Sequence, residues 1–145
     1  MQAFIVEAQN KPGEFARHTQ MLADRGINLY AVCLALGNRG GAAFLVNDET
    51  AARSALTDGG IGFREVSAIA LELEDRPGTA AAASRRLADA GVNIELFAPF
   101  MSRDGKKATV VVGVDKLDVA RKAVSDLVTD WTPAEAWKSA AKVTA

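Results

Sequence analysis

Asn10-Lys11-Pro12-Gly13, a helical run and Gly26-Ile27-Asn28-Leu29 recur as Asp75-Arg76-Pro77-Gly78, a second helical run and Gly91-Val92-Asn93-Ile94. The step from Pro12 to Pro77 is 65 residues, and Gly26 to Gly91 and Asn28 to Asn93 repeat it without a gap. A register kept through a helix and both of its ends marks two copies of one small fold, with one potential site per copy. A unit of about 65 residues is marginal as an independent fold, because so short a chain buries too little of its surface. The copies are therefore expected to pack on each other or on another subunit.

Working outward from the first motif, Gln2 to Ala8 reads as a strand, rich in β-branched and aromatic residues around Phe4-Ile5-Val6. Pro12 is expected at the first helical position, where its missing N–H is not needed. Phe15, Thr19, Leu22 and Ala23 share one face at helical spacing, and Gly26 ends the helix as a cap glycine. Ile27 to Leu36 and Gly41 to Asn47 are two strands joined by the turn Gly37-Asn38-Arg39-Gly40, an antiparallel hairpin. Asp48 caps a short helix to Leu56, Gly59-Gly60 stops it, and Ile61 to Val66 is a fourth strand.

The second copy repeats the order: a strand at Ala68–Glu74, a helix at Gly78–Ala90, a strand at Val92–Arg103, the hairpin signal Asp104-Gly105 and a strand at Ala108–Val114. Asp115 is expected to cap a helix whose Ala120, Ala123, Val124, Leu127 and Val128 form an apolar stripe. Thr132-Pro133-Ala134-Glu135 is a capping box with proline at N1, so a C-terminal helix is expected and the eighth strand is short or missing. The expected division is residues 1–66 for the first domain and 67–145 for the second, with the C-terminal helix at about 133–142. The fold class is α+β: two tandem ferredoxin-like βαββαβ units, each an antiparallel four-stranded sheet with its helices on one face. In that topology the second strand lies at an edge, which suits Pro99.

Asn/Asp-x-Pro-Gly after a first strand, then one helix, Gly-(Ile/Val)-Asn-(Leu/Ile) and a strand, all inside βαββαβ, resembles the ACT domain. The full pattern resembles stand-alone tandem ACT proteins. The resemblance implies a regulatory module that binds a small ligand, usually an amino acid, at an interface between ACT domains, and it implies no reaction. It also implies the site residues: Asn10, Pro12, Gly13 and Asn28 in the first copy, and Asp75, Pro77, Gly78 and Asn93 in the second.

The chemistry of these residues agrees. A Pro-Gly start leaves the first N–H groups of a helix without intrahelical partners, beside the positive end of the helix dipole, and a carboxylate fits there. Asn28 and Asn93 each offer a donor and an acceptor. Asp75 is acceptor-only when ionised and favours an ammonium group, whereas Asn10 is neutral, so the second copy is the better candidate for an amino acid. Ala8 and Leu73 stand where family members often carry a polar ligand contact. The plainer reading is that Asn or Asp before Pro-Gly makes an Asx turn fixing the helix entry.

Other residues point to no chemistry. His18, the single histidine, reads as a half-buried flank residue, and Cys33 as a small buried hydrophobe. Arg85-Arg86 reads as a solvated helix face, and Trp131 and Trp137 as anchors for the tail. No metal spacing, no nucleophile–base arrangement and no cofactor motif is present, so no enzyme is expected. The net charge of −1 argues against nucleic acid. No apolar run reaches the roughly 20 residues of a membrane helix, and the lone cysteine fits the cytosol. The expected partners are an amino acid, a second copy in a homodimer and a client enzyme. The alternative is a structural module that mediates oligomerisation or docking without a ligand.

Overall fold

The computed structural model describes residues 1–101 and 106–141. The chain divides into two compact units. One holds Gln2–Glu65 together with the chain from Thr132, and the other holds Val66–Trp131 together with Met1.

The first unit runs β1 (Gln2–Gln9), α1 (Glu14–Ala23), β2 (Leu29–Leu36), β3 (Arg39–Val46), α2 (Glu49–Asp58) and the start of β4 (Phe63–Glu74). Its antiparallel strands lie in the order β2-β3-β1, with Ala31, Phe44 and Phe4 in line across them. Alternation along a strand sends every second residue to one face. Phe4, Val6, Ala42, Phe44 and Val46 therefore meet Leu22 of α1 and Ala52, Ala55 and Leu56 of α2 in one core. Phe63 closes that core against the Phe4 ring, with centroids 5.7 Å apart.

The second unit uses the rest of β4, α3 (Thr79–Asp89), β5 (Ile94–Met101), β6 (Lys107–Val114), α4 (Leu117–Ala123) and β7 (Val128–Thr129). The strands run β5-β6-β4, and β7 pairs β4 through Ala70 and Leu71. Ile69, Leu71, Leu73, Val110 and Val112 pack on Ala83 and Leu87 of α3, on Ala120 of α4 and on Val124 at its C-terminal end. The eighth strand is short, as expected: two residues. Pro99 sits on the edge strand β5, opposite Val110.

Helix ends explain why the repeat kept its glycines. Ile27 N–H reaches Leu22 O at 3.1 Å and Gly26 N–H reaches Ala23 O at 2.9 Å; Val92 and Gly91 do the same to Leu87 and Ala88 at 3.0 and 2.9 Å. These paired bonds are Schellman closures, which need a left-handed residue, and Gly26 and Gly91 have φ of 69° and 70°.

Several local expectations are corrected. Pro12 and Pro77 lie outside their helices, because Gly13 and Gly78 at φ 91° and 94° are the N-caps. The strands expected at Ile61–Val66 and Ala68–Glu74 are one strand, β4, and the unit boundary falls within it between Glu65 and Val66. Nothing in Ser67 and its neighbours breaks an extended backbone. Asp48 caps α2 as expected, accepting from Ala51 N at 2.9 Å. Asp115 does not cap α4; its Oδ1 accepts from Asn93 N instead, at 2.8 Å. Helix α4 ends at Ala123, so Leu127 and Val128 belong to the chain beyond it.

The C-terminal helix is α5 (Pro133–Ala141). Thr132 Oγ1 accepts from Glu135 N at 3.3 Å, while the Glu135 carboxylate accepts from Lys138 at 2.8 Å. This helix groups with the first unit, not the second. Trp137 stacks on Tyr30 with centroids 4.5 Å apart, on the sheet face turned away from α1 and α2. Trp131 stacks on Phe100 in the second unit, at 5.1 Å. Both tryptophans anchor the tail, each on a different unit. The hairpin signal Asp104-Gly105 and the end of the expected helix at 142 lie outside the described residues.

Candidate functional site

Each unit carries a cleft where its first strand ends and its first helix begins. The first-unit cleft, about 160 Å³, is lined by the end of β1, the Asn10-Lys11 turn, Glu14, Phe15 and His18 of α1, and Cys33 and Leu34 of β2. The second-unit cleft, about 390 Å³, is lined by Glu72, Leu73 and Glu74 of β4, Gly78, Arg76, Thr79, Ala83 and Arg86, with Lys107 and Leu127.

No side chain caps α1 or α3, so Gly13 and Gly78 leave a backbone helix start facing outward. In the second unit Thr79 Oγ1 fastens the loop by donating to Glu74 O at 2.8 Å. Asn10 makes the turn contacts of the plainer reading: its N–H reaches Asn38 O at 3.1 Å and its Nδ2 reaches Gly37 O at 2.8 Å. Asp75 N–H likewise reaches Lys106 O at 2.9 Å, and its carboxylate is exposed. Asn10 thus spends its amide on the hairpin, and Asp75 keeps its carboxylate outward.

Asn28 and Asn93 stand elsewhere. Asn28 N–H donates to Asn47 Oδ1 at 3.0 Å and Asn93 N–H to Asp115 Oδ1 at 2.8 Å. Because β2 is parallel in direction to β1, with β3 between them, its first residues lie at the far end of the sheet from the Pro-Gly turn. Leu29 pairs with Val46, whereas Leu36 pairs with Arg39, next to Gln9. At about 3.3 Å per residue, the eight residues of β2 separate Asn28 from Asn10 by roughly 25 Å. Within one unit the structure brings Asn10 and Gly13 together, and Asp75 and Gly78, but not either asparagine with them.

The clefts also contain residues to which the sequence assigned no chemistry. His18 is 2% exposed and faces inward with Leu22, one turn on; the shared i, i+4 spacing was the available signal. Phe15 stacks on Phe44 at 6.2 Å while remaining 42% exposed. Arg86 is held by Ala123 O at 3.0 Å and by the Asp126 carboxylate. Cys33 is exposed, against the buried placement expected, because β2 lies at the end of the strand order.

Electrostatics set the two walls apart. Burial pushes the His18 imidazole below its ordinary range, and Arg17 beside it adds to this. Arg17 holds the Glu14 carboxyl below the usual carboxylate range, and Arg86 does the same to Asp126. A histidine with a depressed native pKa binds protons less readily folded than unfolded. Stability should therefore fall as pH drops through the unfolded value of about 6.5 and level off below the native one. Urea unfolding between pH 8 and pH 5 checks this, and His18→Asn should flatten that part of the profile. An equal slope in both proteins would refute it.

A family model described as an ACT domain pair matches residues 1–134. The chain belongs to the ACT domain pair family. Among solved structures, protein BT0572 from Bacteroides thetaiotaomicron superposes with a TM-score of 0.74 at 22% identity, covering 88% of this chain and 90% of that one. The regulatory subunit of aspartate kinase from Thermus thermophilus gives 0.60 at 24% identity, covering 87% and 90%. Aspartate kinase from Synechocystis gives 0.60 at 23% identity, covering 86% of this chain and 25% of that one. At these identities the likeness concerns the fold. No curated protein matches the chain in sequence. In this ACT domain pair, no group of three or more metal-ligating side chains occurs among the described residues. No helix among them is long and apolar enough to cross a membrane.

Proposed function

We propose that this ACT domain pair is a non-catalytic regulatory protein that binds an amino acid where ACT domains of two copies meet, and so controls its own assembly or a client enzyme. The observation that carries the reading is the unfinished edge of the first unit. Strand β2 is apolar, lies at the end of the strand order, and leaves Leu34 and Leu36 exposed at 65% and 73%. Such an edge is a template for another strand. Antiparallel pairing with the β2 of a second copy sets the start of one strand beside the end of the other. The second copy's strand start, with its asparagine equivalent to Asn28, then comes next to Gly37, Asn10 and Gly13, assembling the set that one unit keeps roughly 25 Å apart. The name of the Thermus thermophilus neighbour, a regulatory subunit, is consistent with this role.

In the second unit Pro99 interrupts the donors of the corresponding edge, and its cleft carries more ion-paired charge. The first unit is the better-supported site for a ligand between copies, whereas sequence differences alone favoured the second. The alternative, an interaction module without a ligand, draws on the same open β2 edge.

Isothermal titration of the intact chain with the twenty amino acids should give saturable heat for at least one. No heat and no thermal shift for any of them would sink the amino-acid reading and leave the interaction module. Asn28 commits its backbone, not its side chain, to the fold contacts described above. Asn28→Ala should therefore weaken the responding ligand by about tenfold, the worth of one or two hydrogen bonds, with unfolding midpoints unchanged.

A further inference from the structure

His18 is the only histidine of the chain and is almost sealed into the wall of the first-unit cleft. Its Nε2 lies 3.2 Å from Nη2 of Arg17. A guanidinium carries donors only, so Nε2 accepts and the neutral ring keeps its proton on Nδ1. Among the described residues no acceptor meets Nδ1. No buried side-chain nitrogen or oxygen there lacks a partner, so Nδ1 is not sealed off, and the ring it belongs to lines the first-unit cleft.

The second repeat has no counterpart. The position equivalent to His18 is Ala83, buried at 2%, and Phe15 corresponds to Ala80. The donor is therefore a property of the first cleft and not of the shared frame. Lys11 lines the same cleft near the outward-facing start of α1, and both favour a negative group. The charged groups acting on the ring are Arg17 and Glu14, on its own helix. The other titratable groups on the cleft are Lys11 and the Cys33 thiol of β2, and β1 and β3 present only uncharged residues to it.

We propose that the Nδ1–H of His18 binds a carboxylate oxygen of the ligand in the first-unit cleft, so that affinity there rises as pH falls. This rests on the ligand-binding reading above and names the group the site recognises. A carboxylate at Nδ1 favours the imidazolium over the neutral ring, so binding takes up a proton from solvent at Nε2. Arg17 then turns away from Nε2 and keeps its contact to Glu14 Oε2, already 3.2 Å long.

A single histidine makes the test direct. Long-range ¹H–¹⁵N spectra of the full chain should show the Nδ1–H tautomer at pH 8. Titration with sodium acetate and with each of the twenty amino acids should shift the ring nitrogens. For any probe that binds, the histidine pKa should rise by about one unit, which is tenfold tighter binding at low pH than at high. His18→Asn keeps a donor near the Nδ1 position and should keep binding while losing its pH dependence; His18→Leu should lose about tenfold at pH 6 and leave a folded protein. An Nε2–H tautomer, or a probe that stabilises the protein yet leaves the ring signals unmoved, would overturn the role of His18 alone. Failure of every probe to bind would overturn the ligand reading and this inference with it.

Discussion

Leu34→Lys combined with Leu36→Lys should break the proposed β2–β2 dimer into monomers. Both leucines are mostly exposed in the single chain, so replacing them removes little from the folded core and surface changes of this kind stay within about 0.5 kcal/mol. In an antiparallel pair of β2 strands the same leucines are covered. Burying one leucine is worth about 1.5–3 kcal/mol, and twofold symmetry doubles every contact. Lysines at a strand edge also oppose pairing directly, by charge and by the desolvation of their ammonium groups. Dimer affinity should drop by at least about a hundredfold, the equivalent of roughly 3 kcal/mol. Light scattering at micromolar concentration should then read the 15.3 kDa of one chain, and the unfolding midpoint should no longer depend on protein concentration. A wild-type protein that is already monomeric at that concentration would remove the β2 interface, and with it the assembled site.

Phe44→Ala should produce the largest loss of stability. Phe44 is fully buried at the centre of β3, with Phe4 and Ala31 beside it in register and the Phe15 ring stacked 6.2 Å away. Removing a buried phenylalanine ring costs about 3–5 kcal/mol, through lost transfer energy and the cavity left behind. That is a large part of the 5–15 kcal/mol typical of a whole domain. Urea unfolding should show the midpoint fall with its slope unchanged. Phe15→Ala, at a position 42% exposed, should cost under about 1.5 kcal/mol while removing one wall of the first cleft. A loss below 1 kcal/mol for Phe44→Ala would show that the core of the first unit does not depend on this ring.

Much of the architecture was legible because the repeat carries its own punctuation. Gly26 and Gly91 sit where a Schellman closure demands positive φ, and no L-residue does that as easily. Those glycines located the helix ends. The helix starts were read less well, since Gly13 rather than Pro12 begins the turn, and both residues are at home near an N-terminus. Asp115 is a good cap residue by type, yet its carboxylate is drawn across to the Asn93 N–H, a contact 22 residues away that no local rule supplies.

The candidate site was half legible. Asn10 with Gly13, and Asp75 with Gly78, are neighbours in the chain and remain so in space. Asn28 shares their motif but lies at the opposite end of β2, because a helix crossover makes β1 and β2 point the same way. His18 looked like a flank residue on a helical wheel. Its burial depends on which strands lie beneath α1, and the exposure of Cys33 depends on β2 lying at the end of the strand order.

The sequence by itself determined the two βαββαβ frames, their glycine closures and the edge placement of the second strands, since these rest on backbone geometry within short spans. Only the tertiary structure decided that α5 belongs to the first unit, that His18 is buried in the wall of the first cleft, and that neither unit assembles the motif alone. Each of these depends on contacts between residues far apart in the chain, and local propensity carries no record of them.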